Sequence, residues 1–148
     1  MAVEWTSDLA TGIDEIDDQH REMFRRANAL LAAMREGKAR GEIEPTLDYL
    51  RSYFLEHFAL EERVMAASGY HGLEQHRARH TQFAGFITEI ERGFRDGARP
   101  GHVIIELVDR LSTYLRLHMG ETDRQMARFL RSDKNAAAVL RSEFRRRP

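Results

Sequence analysis

The chain contains no cysteine. That removes disulfides, thiolate zinc sites and protein-ligated iron–sulfur clusters from its chemistry. It also takes away the soft sulfur donors that copper(I) prefers, leaving imidazole and carboxylate, a set suited to iron, zinc or manganese. No apolar run approaches the roughly 20 residues needed to cross a bilayer. The segment from Met1 to Asp14 mixes acids with scattered apolar residues, unlike a signal peptide or an anchor. No membrane insertion and a cytoplasmic location are therefore expected. No stretch alternates with the period of two that marks a half-buried strand. Fixed-period repeats and low-complexity segments are missing too.

What remains is one domain's worth of helix-forming sequence. At 148 residues the chain can bury a real core but not two. Apolar spacing predicts helix A from a cap at Asp17 or Asp18 to Gly37, with His20, Met23, Phe24, Ala27, Leu30, Leu31 and Met34 inward. The second helix, with Pro45 near its first turn, carries Leu47, Leu50, Tyr53, Phe54, His57, Leu60, Glu61 and Val64 to about Ala67. Ser68 to Gly72 is a glycine-marked break. Helix C covers Leu73 to Arg95, burying His76, His80, Phe83, Ile87, Ile90 and Phe94. After the loop from Asp96 to Gly101, helix D starts near His102 and runs through Tyr114, Leu115 and His118 to Leu130.

Short links between long amphipathic helices make neighbours antiparallel. The expected fold is all-α: an up-down-up-down antiparallel four-helix bundle over 1–132. An N-terminal extended arm carries the only tryptophan, Trp5, as a plug for one bundle end. A short C-terminal helical and basic tail occupies 133–148. Charge is uneven: residues 1–123 hold 15 Lys and Arg against 22 Asp and Glu, whereas 124–148 hold 8 against 2. The tail, ending in Arg145-Arg146-Arg147, is expected to be solvated or folded back on an acidic body. A protein partner is the alternative, and no clear nucleic-acid signal is present.

Seven side chains carry the chemistry: His20, His57, Glu61, His76, His80, His118 and Asp123. Residues four apart on an α-helix lie about 40° apart around the axis. His57 with Glu61, and His76 with His80, can each face one ion. His118 and Asp123 are five apart, roughly 140° around an α-helix, and make a poor pair for a single ion. His71 and His102 fall at a turn and a helix start, and are expected to be exposed. A lone core histidine is usually structural. Five on buried stripes, with two acids, leave too much polar surface without partners unless a metal satisfies them.

Seven ligands oversupply one ion, since transition metals take four to six. Two ions sharing Glu61 and Asp123, with a bridging solvent oxygen and the histidines split three and two, reach six donors and five. The vacancy admits a small molecule.

At these residues the chain resembles the hemerythrins, most closely the single-domain bacterial members, over about residues 3–131. The matching segments are Trp5 with Gly12-Ile13-x-x-Ile16-Asp17-x-x-His20; His57-Phe58-x-x-Glu61-Glu62-x-x-Met65; Gly69-Tyr70 with His76-x3-His80-x-x-Phe83; and Leu117-His118-x4-Asp123. The resemblance implies two Fe ions, oxo- or hydroxo-bridged, that bind dioxygen reversibly for storage, delivery or buffering. By it, His76, His80 and His118 hold the saturated iron, His20 and His57 the open one, and Glu61 and Asp123 bridge. It places Phe58, Tyr114, Leu115 and Met119 around the open iron. Tyr114 and Met119 depart from the Trp and Ile expected there. A phenol could hydrogen-bond a bound molecule, and a flexible thioether seals less tightly. An oxygen or redox sensor signalling through the basic tail, and a peroxide or nitric oxide reductase, are the alternatives.

Overall fold

The computed structural model of the chain describes residues 4–145, and every regular element among them is helical. Helix α1 is Asp14–Arg35. Helix α2 covers residues 39–68 in three continuous parts: α-helical Ala39–Tyr53, a π-helical turn Phe54–Phe58, and α-helical Ala59–Ser68. Helix α3 is Leu73–Arg95. Helix α4 covers residues 100–132, with a π-helical stretch Tyr114–Asp123 between α-helical Pro100–Thr113 and Arg124–Ser132. Helix α5 is Lys134–Arg145. Connections of three or four residues fold α1 to α4 into the expected antiparallel bundle.

Local chemistry explains most boundaries, including those that differ from expectation. Helix α1 starts at Asp14, ahead of the expected cap, with Asp14, Glu15 and Asp17 in its first turn favourably placed against the helix dipole. Asp17 does not cap the helix. Its buried carboxylate accepts from the Thr11 amide and hydroxyl, both at 2.8 Å, and from the Gly12 amide at 3.3 Å, tying the arm to α1. Gly12 has φ 82°, which favours glycine.

Helix α2 begins at Ala39 and not beside Pro45, which sits in its second turn. The fully buried Ile43 draws the extra turn into the core. Met34, expected inward, is 37% exposed, and Ala33 takes the buried position. Helix α4 starts with Pro100 as its first residue, where the missing amide hydrogen costs little.

The bundle interior is two apolar clusters. The larger gathers Met23, Leu30, Leu47, Leu50, Phe83, Ile87 and Leu107 among others. The smaller holds Ile13, Ile16, Leu60, Val64, Met65, Met126 and Leu130, closed by Ala136, Val139 and Leu140 of α5. Residues 134–143 thus cover the end of the bundle through apolar contacts. In the ion pair that joins them to the body, Arg63 to Glu143 at 3.6 Å, the acid is on the tail. Arg146 and Arg147 lie outside the described residues. Trp5 is partly buried against the larger cluster, with the Arg21 guanidinium 4.2 Å over its ring.

Candidate metal centre

Between the two apolar clusters lies a single polar layer. His20 comes from α1, His57 and Glu61 from α2, His76 and His80 from α3, and His118 and Asp123 from α4. None of the seven is more than 4% exposed. His71 and His102 are exposed and lie apart from the layer, His102 pairing instead with Glu106 at 3.1 Å.

The layer is two clusters joined by two carboxylates. Glu61 Oε2 lies 3.1 Å from Nε2 of both His76 and His80, while its Oε1 lies 2.7 Å from His57 Nε2. Asp123 Oδ1 lies 3.1 Å from His76 Nε2 and 3.0 Å from His118 Nε2, while its Oδ2 lies 3.1 Å from His20 Nε2. Each acid therefore turns one oxygen to the histidines of α3 and α4, and the other to those of α1 and α2. Ligand atoms of Glu61, His76, His80, His118 and Asp123 fall within 4.8 Å of one another, as do those of His20, His57 and Glu61.

The local backbone makes this possible. The sequence places His118 and Asp123 five apart, a poor pair on an α-helix. The π-helical stretch that contains both bonds i to i+5, so residues five apart lie nearly one above the other. The α-helical angle derived from the spacing is the wrong frame for this segment, and the structure corrects it. His57 also sits in a π-helical turn, and such turns concentrate at functional sites.

Apart from the hydrogen bond between His76 Nε2 and Glu61 Oε2 at 3.1 Å, the contacts do not satisfy one another. Eleven nitrogen and oxygen atoms of these seven side chains are buried without a hydrogen-bond partner, among them Nε2 of His20, His57, His80 and His118 and both Asp123 oxygens. They stand 2.7–3.1 Å apart yet are not aligned along donor–acceptor lines. Buried polar atoms left this way are costly. Cations between them would satisfy the lone pairs at once. The donor set, five imidazoles and two carboxylates, fits a pair of irons.

Sequence reasoning missed two supports. Gln19 Oε1 accepts from His57 Nδ1–H, which fixes the tautomer that points the Nε2 lone pair inward. Nothing but its place beside His20 marked it. Aromatic rings hold three of the imidazoles: Phe58 stacks on His80 at 3.8 Å and Tyr114 on His118 at 4.7 Å, while Tyr53 stacks on His57 at 4.4 Å. Tyr53 lay on the inward stripe but was not assigned to the site. For Gln19→Ala, we expect affinity for the second equivalent of ferrous iron to fall by about 10–100-fold. Iron titration checks this, and an unchanged second equivalent would remove Gln19 from the site.

The expected pocket residues Phe58, Tyr114, Leu115 and Met119 are all buried, at 5% exposure or less. A cleft of about 420 Å³, lined by Arg79, Phe83, Phe86, Arg110, Tyr114 and His118 among others, approaches the layer from outside. It shares only Tyr114 with that pocket.

Charge in the metal-free layer follows from the pairing. Burial and the neighbouring Asp123 oppose ionising Glu61, but His57 and His76 hold its carboxyl well below the usual range. Burial likewise opposes Asp123, and His118, His20 and His76 bring it well below its ordinary value. Burial would lower His76, yet Asp123 and Glu61 together push it up to about 10. The raised His76 contributes stability that is complete below its ordinary 6.5 and lost as pH rises through about 10. The depressed acids contribute stability present above their ordinary 3.8 and 4.5 and lost as pH falls. Iron-free protein is therefore expected to melt highest between about pH 4.5 and 6.5. Thermal melts of chelated protein from pH 4 to 10 test this, and a maximum above pH 8 would contradict it.

A four-helix bundle whose buried layer gathers five histidines and two carboxylates into two groups that could hold metal ions has the make-up of a dinuclear metalloprotein. Comparison with known proteins identifies which kind. The family model described as the hemerythrin HHE cation binding domain matches residues 11–130. The bacteriohemerythrin of Pseudomonas paraeruginosa is 34% identical over 119 residues, 80% of this chain and 75% of its own. That of Stenotrophomonas maltophilia is 31% identical over 134 residues, 90% of this chain and 85% of its own. The hemerythrin of Siphonosoma cumanense is 28% identical over 94 residues, 64% of this chain and 74% of its own. The chain belongs to the hemerythrin family, whose domain binds a di-iron centre and whose members are mainly oxygen-binding proteins. No helix among the described residues is long and apolar enough to cross a membrane.

Proposed function

We propose that this chain binds dioxygen reversibly at two irons, for storage, delivery or buffering. In this reading His76, His80 and His118 hold one iron, His20 and His57 the other, and Glu61 and Asp123 bridge. The observation that carries it is the split of each carboxylate's two oxygens between the two histidine groups. That split gives one cluster five protein donors and the other four. With a shared solvent oxygen these would become six and five, and the group of His20 and His57 would be the one able to take a further ligand.

Iron supplies the reversible change of oxidation state that oxygen binding needs. The chain's own residues set what surrounds it. Phe58, Leu115 and Met119 are buried apolar walls that exclude water. Gln19 holds His57 in the tautomer that can serve as a ligand. The stacked rings of Tyr53, Phe58 and Tyr114 fix imidazole orientation.

The test is an optical spectrum of iron-loaded, reduced protein, first under argon and then under air. A visible band that appears on aeration and disappears on removing oxygen, over repeated cycles, supports the carrier reading. A single irreversible oxidation, or steady consumption of peroxide or nitric oxide with a reductant, would replace it with an enzymatic one. A sensor is favoured by one observation: Leu140 of α5 and Glu61 line the same small void. Capture of a protein partner by only one iron oxidation state would carry that reading.

A further inference from the structure

Arg79 of α3 reaches across to α4, where its Nη1 donates to Thr122 Oγ1 at 2.5 Å. Each partner is the chain neighbour of a candidate ligand: Arg79 precedes His80, and Thr122 precedes Asp123. Thr122 is buried, whereas Arg79 lies on the outer side of α3. The bond is thus a tie between the two helices that lies outside the histidine–carboxylate layer.

It falls where α4 most needs support. Thr122 is in the last turn of the π-helical stretch Tyr114–Asp123, which is 10 residues long. A π-helix is seldom more than a single turn, so a stretch of this length requires contacts that hold it. Its register decides the site. Relaxed to an α-helix, it would set His118 and Asp123 roughly 140° apart around the axis, and Asp123 would no longer serve both histidine groups. Arg77, two residues back on α3, makes the contrast. It bonds Glu62 of α2 at 3.2 Å and Glu74 of its own helix at 2.9 Å. Glu62 lies in ordinary α-helix, which keeps its register unaided.

We infer that Arg79 is a positioning residue for the metal centre. Its bond to Thr122 holds the π-helical register of α4, and with it the place of Asp123 between the two histidine groups. The effect on iron rests on the di-iron reading; the effect on the backbone does not. The bond acts through geometry, as a charge-assisted hydrogen bond. Loss of a cation near the layer would by charge alone strengthen iron binding, so a weaker site in a variant has the opposite sign to a field effect.

Two measurements on the full chain test it. In anaerobic titration, Arg79→Ala and Thr122→Val should each weaken the second equivalent of ferrous iron by about tenfold, as for other groups that orient a ligand. The double variant should be no weaker than either single one, because both remove the same bond. Thr122→Ser keeps the hydroxyl and should bind as the wild type does, as should Arg77→Ala. In iron-free protein, amides of residues 114–123 should exchange faster in Arg79→Ala and Thr122→Val than in the wild type, with the other helices unchanged. Wild-type affinity in Thr122→Val, additive losses in the double variant, or unchanged exchange across 114–123 overturns the inference. A wild type that takes up fewer than two irons overturns the di-iron reading, and the exchange comparison still decides whether Arg79 holds the register.

Discussion

Glu61→Ala is expected to purify with less than one iron per chain, where the wild type holds two. Glu61 is the side chain that touches three histidines from two helices, His57 through Oε1 and His76 and His80 through Oε2. Its loss takes one donor from each cluster. The remaining imidazoles are left close together with less negative charge to balance a dication. The adjacent Glu62 supplies the control. It lies on the partly exposed side of α2 and pairs with Arg77 at 3.2 Å, a contact of the kind that contributes about 0–1 kcal/mol. Glu62→Ala should keep two irons and a nearly unchanged melting temperature. Elemental analysis of the two variants, expressed and purified together, reads the contrast. Equal iron in both would remove Glu61 from the bridge.

Stripping the iron should cost far more stability than any single surface change. Eleven buried polar atoms in the layer lack a hydrogen bond of their own, and they sit between two apolar clusters. An ion bound at about a thousand times its dissociation constant stabilises the native state by about 4 kcal/mol. For a domain of this size each kcal/mol moves the midpoint by about 2–4 °C. Chelation is then expected to lower the melting temperature by roughly 8–16 °C, with recovery on adding ferrous iron anaerobically. Calorimetry on loaded and chelated protein gives the number. A change below about 2 °C would mean that the layer is stable without ions.

Much of this arrangement was legible in the residues alone. Helix α3 runs over Leu73–Arg95, where apolar spacing and flanking glycines place it. All seven candidate ligands lie on buried stripes, because periodicity and polarity together single out positions that water alone would not tolerate. The misses have physical causes. An α-helical wheel cannot see a π-helical stretch, so the spacing of His118 and Asp123 read as a weakness when the backbone turns it into a fit. Asp17 resembled a cap, yet the helix starts three residues earlier at Asp14, and the Asp17 carboxylate holds Thr11 and Gly12 instead.

Met34 fell on the extrapolated stripe, but near its end the buried position passes to Ala33. Pro45 drew the expected start of α2 forward, while Ile43 sets it. Residues 133–148 read as a helix-prone appendix with a charged end, solvated or folded back on an acidic body. Ala136, Val139 and Leu140 are sufficient to dock them on the bundle end. Gln19 and the Arg79–Thr122 bond depend on which helices face each other, and no local pattern encodes that.

The measurement that bears most directly on the account is iron stoichiometry with the coordination seen by X-ray absorption, on wild-type protein loaded anaerobically. Two irons per chain, with a short iron–iron distance and a first shell dominated by nitrogen and oxygen, is the predicted result. One iron per chain, or two irons too far apart to share a carboxylate, would contradict it.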